Sequence, residues 1–201
     1  MTVSLKLSVT LSDPSCGPEN SVLEYDGHIT AYCDTTDQSQ TVGRTRAFVA
    51  NIEAALSFRF SPIDSLDSRE ETAPYLALLS FEQPGNFAPR VQAVLGEPDT
   101  FSLNMLIVDR IEILPEHRGL GYGLTAMESI ISHLGPGCRI AAIKPYPLQF
   151  EPKRTWKPEM QLGRYTGTKS HATQRLKNLY AHIDFKSVGR TGLMIRDLLL
   201  R

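Results

Sequence analysis

The residues best suited to chemistry lie in a glycine-rich stretch between an apolar run and an amphipathic run. The stretch reads Arg118-Gly119-Leu120-Gly121-Tyr122-Gly123. A helix that begins here would point its unpaired N–H groups, and the positive end of its dipole, at the turn. Alternate glycines let the backbone approach an anion without a clash at Cβ, and Arg118 adds a permanent cation. The pattern therefore predicts a phosphate-binding turn at the start of a helix.

Two common phosphate-binding motifs do not fit the sequence. Residues Gly167-Thr168-Lys169-Ser170 lack the upstream glycine of a P-loop. In Arg118–Gly123 the third glycine comes one residue too early for the dinucleotide-binding motif, and no strand–loop–helix unit stands near the N-terminus. From the residues alone, a glycine-rich turn that merely links a strand to a helix stays open as the alternative.

The elements on either side of this turn are predicted from hydrophobic periodicity. Leu103–Leu114 is a continuous and then alternating apolar run, typical of a strand, and Pro115 ends it. A helix is predicted next, ended by Gly135-Pro136-Gly137. Its apolar residues recur at helical spacing: Leu120, Leu124, Met127, Ile130, Ile131 and Leu134.

The rest of the C-terminal half adds one helix and three short strands. Apolar runs at Arg139–Ile143, Phe185–Val188 and Leu193–Ile195 predict the strands, and the spacing from Ala172 to Ile183 predicts the helix. Because strands and helices alternate along this half, the sequence predicts an α/β sandwich around a mixed sheet.

The N-terminal part is predicted to be rich in β-structure. Ser4–Leu11 alternates polar and apolar residues, as a half-buried strand does. Val22–Cys33 predicts two strands joined by a hairpin turn at Asp26-Gly27. Val42–Leu56 fits either one face of a long strand or one face of a helix, and we favour the strand.

Two short helices are predicted before the strand at Leu103–Leu114. The first is expected to begin near Thr72, because Pro74 suits the first turn of a helix. Asn86 is predicted to cap the second, which runs to Leu95.

The glycine-rich stretch and its surroundings resemble the GNAT superfamily of acyl-CoA N-acyltransferases. Arg118-x-x-Gly121-x-Gly123 matches the [Q/R]-x-x-G-x-[G/A] motif of that superfamily in register. The stretch Leu179-Tyr180-Ala181-His182-Ile183-Asp184-Phe185 resembles its L-Y-x-x-x-G-F motif, with Asp184 where glycine is usual. The resemblance covers about half of the chain, from Leu103 to Arg201.

The resemblance implies an α/β (α+β) fold with a mixed, mostly antiparallel central sheet flanked by helices. The length suits one domain, and we expect it to be a GNAT-like domain over residues 1–201 with a CoA-binding and catalytic core over 103–201. The pattern at the start of the chain predicts a β-rich N-terminal arm over 1–40. The strand that precedes the loop is expected to splay from its neighbour and open a groove for CoA.

The resemblance also implies the donor site, with acetyl-CoA (coenzyme A) as co-substrate and no metal. The backbone of Ile111 and Ile113 would pair with the pantetheine arm like an added strand. Tyr180 matches the tyrosine that protonates the departing thiolate; a core aromatic on a helix face is its alternative role. The pyrophosphate would lie on the backbone of Arg118, Gly119, Leu120, Gly121, Tyr122 and Gly123.

The acceptor amine must lose a proton, and Asp109 and Glu112 are the candidate bases. In a strand without a bulge, Asp109 shares a face with Ile111 and Ile113, while Glu112 and Arg110 point to the other face. A surface ion pair between Arg110 and Glu112, and pairing of Asp109 with a neighbouring base, are the structural alternatives.

A long loop insertion is predicted over residues 146–170. Structureless segments of this length are usually functional or disordered. We interpret it as part of the acceptor site or a lid; an ordered surface excursion or an oligomer contact is the alternative. The prediction depends on its aromatic and basic residues, which include Phe150, Arg154, Trp156, Arg164 and Tyr165.

Composition limits the classes of partner. The formal net charge of −1 gives no bulk basic field for nucleic acid or a membrane surface. Three cysteines, Cys16, Cys33 and Cys138, have no metal-ligand spacing, so we expect free thiols in the cytoplasm. Neither a signal peptide nor a membrane-spanning run is predicted.

The sequence therefore predicts an N-acetyltransferase that transfers the acetyl group of acetyl-CoA to a primary amine within a ternary complex. The acceptor is a small molecule or a peptide, and association into a homodimer stays open. Two alternatives stay open as well: a non-catalytic CoA-binding module, and an acyltransferase that acts on protein or tRNA-linked amines.

Overall fold

A seven-stranded sheet organises the computed structural model, which describes residues 2–33, 37–83, 85–96, 102–152, 158–162 and 167–199. The strand order is β1-β2-β3-β4-β5-β7-β6, and every neighbouring pair is antiparallel except β4 and β5. The strands are β1 Thr2–Val9, β2 Val22–Cys33, β3 Gln38–Ala50, β4 Met105–Ile113, β5 Ile140–Ile143, β6 Lys186–Ser187 and β7 Met194–Asp197.

Helices flank both faces of this sheet, which confirms the predicted α/β class with a mixed, mostly antiparallel sheet. The α-helices are α1 Ile52–Ser57, α2 Pro62–Asp67, α3 Pro89–Leu95, α4 Tyr122–Leu134 and α5 Lys169–Ala181. Short 3-10 helices lie at Pro14–Cys16, Pro18–Ser21, Ala73–Leu78, Pro115–His117, Leu148–Phe150 and Pro158–Met160. Among the described residues, none of the helices is both long and apolar enough to cross a membrane.

The two faces of β4 bury two different cores, because successive side chains of a strand point to opposite faces. Met105 and Ile107 pack with Phe48 and with the layer of α1, α2 and α3. Leu106 and Val108 pack against α4 on the other face. Full burial of such a side chain contributes about 1.5–3 kcal/mol, so both layers hold β4 in the centre of the fold.

The predicted hairpin at Asp26-Gly27 is wrong, because β2 runs without a break through both residues. Gly27 pairs with Leu7 on one side and with Thr45 on the other. A Cβ at this position would lie 2.3 Å from the backbone oxygen of Lys6. Glycine therefore serves close packing between strands here and makes no turn.

The ambiguous stretch Val42–Leu56 contains both structures. It is a strand up to Ala50, as favoured, and a helix from Ile52, which the strand prediction missed. The change occurs at Asn51, whose side chain accepts a hydrogen bond from the backbone N–H of Ala54 and so caps α1.

The two predicted short helices are displaced or differently capped. Thr72 directly precedes a 3-10 helix, as expected for the first. Asn86 does not cap α3, which begins at Pro89 after Ala88. The helix α2, with Ser61 at its N-cap, was not predicted from the sequence.

The central strands diverge on one side of β4. The parallel pairing of β4 with β5 covers only Met105–Ile107 against Ile140–Ala142. From Val108 onward β4 keeps its pairing with β3, but among the described residues it has no partner strand on the β5 side. The predicted splay is therefore present, and it opens a groove along the second half of β4.

Candidate functional site

The groove between the diverging strands has a volume of about 430 Å³ and gathers most of the predicted site residues. Its walls come from β4, the glycine turn, the end of β5, the segment after β5, and α5. The predicted residues in its lining are Asp109, Ile111, Glu112, Ile113, Arg118, Gly123 and Tyr180. The others, Gly119, Leu120, Gly121 and Tyr122, lie in the turn between Arg118 and Gly123 and are not part of the lining.

The glycine turn has the backbone shape that its sequence predicts. Gly119 and Gly121 have φ values of 78° and 82°, in the left-handed region that favours glycine. Gly121 is the N-cap residue of α4 and offers no side chain to cap the helix. A Cβ added at either residue would meet no atom within 4 Å. The start of α4 is therefore open to a ligand at the place where helices bind anions.

The other two residues of the turn have different surroundings. The side chain of Leu120 is 62% exposed, whereas Tyr122 is buried in the core beneath α4. The ring of Tyr122 meets the His117 ring edge-on, with centroids 6.0 Å apart. The buried tyrosine thus fixes the first turn of α4 against the sheet.

The backbone of Ile111 and Ile113 points into the groove. The N–H of Leu114 donates to the Val42 oxygen on β3, and backbone groups alternate in direction along a strand. Ile111 and Ile113 therefore point away from β3. The carbonyl of Ile113 accepts a hydrogen bond from Arg118 Nε at 2.9 Å, while Ile111 lies in the groove lining.

Arg118 directs its side chain to two backbone carbonyl groups. Its Nη2 donates to the backbone oxygen of Met160 at 2.6 Å, and its Nε donates to that of Ile113. The guanidinium thus joins the end of β4 to the segment that follows β5.

Tyr180 lies in the wall formed by α5, and its ring packs near Phe185 with centroids 6.1 Å apart. Burial raises the pKa of the Tyr180 hydroxyl to about 12. Among the described residues, no group forms a hydrogen bond with this hydroxyl. Asp184 follows with a φ of 66°, so the motif position where glycine is usual keeps a conformation typical of glycine.

A β-bulge changes the predicted direction of Asp109. Arg46 pairs with Arg110, but the next residue of β3, Ala47, pairs with Val108, so Asp109 is an extra residue. Its side chain lies on the opposite face from Ile111 and Ile113, which pack against α4. The predicted shared face is therefore wrong, because it required a strand without a bulge.

Asp109 pairs with an arginine on β3. Arg46 Nε and Nη2 both contact Asp109 Oδ2, at 2.9 and 2.8 Å, and Arg46 Nη1 also contacts Glu71 at 3.1 Å. Burial raises the pKa of Asp109, and the Arg46 guanidinium only partly offsets this effect. The carboxylate is consequently a stronger base than an exposed aspartate.

Glu112 lies in a chain of alternating charges. It is held by Arg44 and by Arg110 Nη1, the latter at 2.8 Å, and Arg110 Nη2 contacts Glu151 at 2.7 Å. Burial acts to raise the pKa of Glu112, but the two arginines outweigh it, and the pKa lies below its ordinary value. Glu112 is therefore a weaker base than Asp109. Its pairing with Arg110 matches the structural alternative, but the pair is not on the surface, because the Glu112 side chain is only 3% exposed.

The described part of the insertion forms one side of the groove. Tyr146, Leu148, Met160 and Leu162 belong to the lining, and Met160 is only 2% exposed. Four of the residues that motivated the acceptor-site prediction lie outside the described residues: Arg154, Trp156, Arg164 and Tyr165.

Sequence reasoning assigned no role in the site to Arg44 and Arg46, the partners of the two carboxylates. Their signal is the spacing of two arginines at alternate positions, which places both on one face of a strand. The cationic residues Lys144 and Arg175 also line the groove and were missed. To predict the partners of Arg44 and Arg46, the positive charges of β3 would have had to be matched with the negative charges of β4.

No protein-family model and no curated protein matches the sequence. Among the described residues, no cluster of three or more histidine, cysteine or acidic side chains is arranged to hold a metal ion. The groove thus combines the N-terminus of α4, which can bind an anion, with the edge of β4 that faces away from β3. It also contains the neutral phenol of Tyr180 and the carboxylate of Asp109, whose pKa is raised.

Proposed function

We propose that the groove binds acetyl-CoA and that the protein is an N-acetyltransferase of the GNAT type. The observation that carries this proposal is the divergence of β4 from β5, directly before a left-handed glycine turn at the start of α4. This juxtaposition offers a strand edge to an extended amide-containing arm and helix N–H groups to its phosphates. The donor fits the residues present.

The backbone of Arg118–Gly123 would hold the pyrophosphate, and Ile111 would pair with the pantetheine arm. Bound acetyl-CoA would supply an acetyl thioester whose carbonyl carbon the acceptor amine attacks, so that a C–N bond forms and the C–S bond breaks. Arg175 lines the same groove, is exposed, and makes no ion pair among the described residues. Its charge is available to a phosphate.

Tyr180 would donate a hydrogen bond to the sulfur as the C–S bond breaks. A pKa of about 12 keeps the phenol neutral at physiological pH, so it can donate. Because an ordinary thiol has a pKa of about 8.5, complete proton transfer from this phenol is uphill. The role of Tyr180 is therefore to stabilise negative charge on sulfur, and solvent then supplies the proton.

Asp109 would accept the proton that the amine loses. Arg46 occupies Oδ2, and no described residue bonds Oδ1, so Oδ1 is the oxygen assigned to this step. Glu112 has a lower pKa and two arginine partners, and we assign it a structural role. Solvent takes the proton onward.

A non-catalytic CoA-binding module is the second candidate, because both carboxylates are paired with arginine. The two functions differ in thiol release from acetyl-CoA across a panel of amines, peptides and aminoacyl-tRNA. Release with any acceptor supports the enzyme; CoA binding without release supports the module. A cytosolic location stays a prediction, with which the free, exposed thiol of Cys16 accords.

The donor assignment is tested by Gly121→Glu. The new carboxylate would stand at the start of α4 and repel the pyrophosphate, so we expect CoA binding in calorimetry to fall by a hundredfold or more (about 3 kcal/mol). Gly137→Glu is the matched control, because Gly137 has a φ of 85° and equally open surroundings beyond the other end of α4. CoA affinity retained in Gly121→Glu would refute the assignment.

A further inference from the structure

We propose that Arg118 is a positioning residue that fixes the segment Pro158–Leu162 to the end of β4, and so couples donor binding to the order of this groove wall. The proposal rests on the proposed function, because the donor is taken to be an acyl-CoA. It assigns the cation of the turn a task other than binding phosphate.

The guanidinium of Arg118 donates to two backbone carbonyls. Nε donates to the oxygen of Ile113 at 2.9 Å and Nη2 donates to the oxygen of Met160 at 2.6 Å. Both acceptors are backbone carbonyls, and a planar guanidinium can satisfy two of them at once from a fixed fork. Arg118 therefore bridges two parts of the chain that are distant in sequence.

The Arg118 bridge holds a buried part of the groove wall in place. Met160 and Leu162 are 2% and 7% exposed, and both line the groove. Glu151, which lies between β5 and this segment in the chain, contacts Arg110 of β4 at 2.7 Å. The part of the chain after β5 is thus attached to β4 at two points, one beside the glycine turn and one beside Asp109, the proposed base.

Ligand binding at the glycine turn and the order of the groove wall are coupled through Arg118. Arg118 directly precedes Gly119, so a ligand that fixes the backbone of the turn also fixes the base of the Arg118 side chain. Binding free energies are reciprocal: if the ligand orders the wall, the ordered wall strengthens ligand binding by the same factor. Removal of the Arg118 bridge should abolish both the ordering of the wall by the ligand and the gain in ligand affinity from the ordered wall.

Three variants distinguish this role from phosphate binding: Arg118→Met, Arg118→Lys and Arg175→Met. Lysine keeps the charge and loses the fork, whereas Arg175→Met removes a groove cation that makes no ion pair among the described residues. CoA affinity is measured by calorimetry at low and at high salt. Hydrogen exchange of a peptide that contains residues 158–162 is followed with and without CoA.

We expect both Arg118 variants to weaken CoA binding by the same factor, about fivefold, at either salt concentration. We also expect CoA to protect the 158–162 peptide in the wild type and in Arg175→Met, but in neither Arg118 variant. Arg175→Met should weaken CoA binding about two- to fivefold at low salt and less at high salt, as a screened charge does.

Two results would overturn the proposal. One is wild-type affinity in Arg118→Lys together with a salt-sensitive loss in Arg118→Met, which is the behaviour of a phosphate ligand. The other is CoA-dependent protection of 158–162 that persists in both Arg118 variants. Failure of the proposed function looks different, since the wild type itself would then bind no CoA, and the coupling would fall with it.

Discussion

Tyr180 shows how its surroundings set the chemistry that one side chain can perform. Its ring is packed against Phe185, and burial raises the pKa of the hydroxyl to about 12. A phenol in that range is a poor proton source for a thiolate but a permanent hydrogen-bond donor. The sequence resemblance implied an acid, and the structure changes the proposal to a stabiliser of charge on sulfur.

We expect Tyr180→Phe to lower kcat by about 10²-fold, the lower end of the range for a proton-transfer residue, because only a hydrogen bond is lost. CoA affinity should change little, since the ring remains in place. Thiol release in steady state gives kcat, and calorimetry gives the affinity. Tyr25→Phe, on β2 away from the groove, is the control. Equal rates in Tyr180→Phe and the wild type would exclude the role.

At the scale of elements, the strongly periodic segments could be predicted from the sequence. The predicted strand Leu103–Leu114 and the observed β4, Met105–Ile113, differ by two residues at one end and one at the other. The start of α4 and its glycine turn follow from Gly121, since a left-handed residue there is costly for other residue types. The strand and the glycine turn of the candidate site could therefore be predicted from the sequence.

The direction of the Asp109 side chain could not be predicted, because it depends on pairing between strands. The bulge at Asp109 leaves no mark in the hydrophobic pattern, and it exists only relative to Arg46 and Ala47 of β3. Gly27 misled the prediction for the same reason: its role depends on the close approach of β1. Local signals predict turns and periodicity, whereas register is decided by the neighbouring strands.

The bulge predicts a particular pH dependence if Asp109 is the base. Burial raises its pKa, so the reactive carboxylate forms at a higher pH than for an exposed aspartate. kcat/KM should rise with pH through that pKa. We expect Asp109→Asn to lower kcat/KM by about 10²–10⁴-fold and to abolish this limb of the profile.

Removal of Arg46 gives a second, independent test of Asp109 as the base. Arg46 lowers the pKa of Asp109, so Arg46→Met should raise that pKa further and move the same limb to higher pH. The pH profile of thiol release measures both variants. A limb that persists in Asp109→Asn, or that does not move in Arg46→Met, would assign the proton acceptor elsewhere.

At the scale of the whole molecule, the charges beside the groove also hold the fold together. The chain Arg44–Glu112–Arg110–Glu151 connects β3, β4 and the segment after β5. The Glu112 side chain is only 3% exposed, while each of its arginine partners is 20% exposed. Loss of this carboxylate would leave two guanidinium groups without their shared partner in a poorly hydrated place.

The last prediction concerns stability against pH. The pKa of Glu112 lies below its ordinary value of 4.5, so its stabilising effect is complete above that pH and is lost as the pH falls through the folded-state pKa. We expect Glu112→Gln to lower the free energy of unfolding at neutral pH by about 2–3 kcal/mol, below the full cost of breaking a buried pair because the arginines are partly exposed. Urea unfolding across the acidic range measures it.

The matched control for this experiment is Glu128→Gln. Glu128 contacts Arg196 at 2.8 Å, but its side chain is 42% exposed, so its removal should cost about 0–1 kcal/mol. The wild type and Glu128→Gln should both lose stability more steeply below pH 4.5 than Glu112→Gln, which has no carboxylate left to protonate at that site. Equal losses in the two variants at neutral pH would mean that the charged chain beside the groove contributes no more than a surface ion pair.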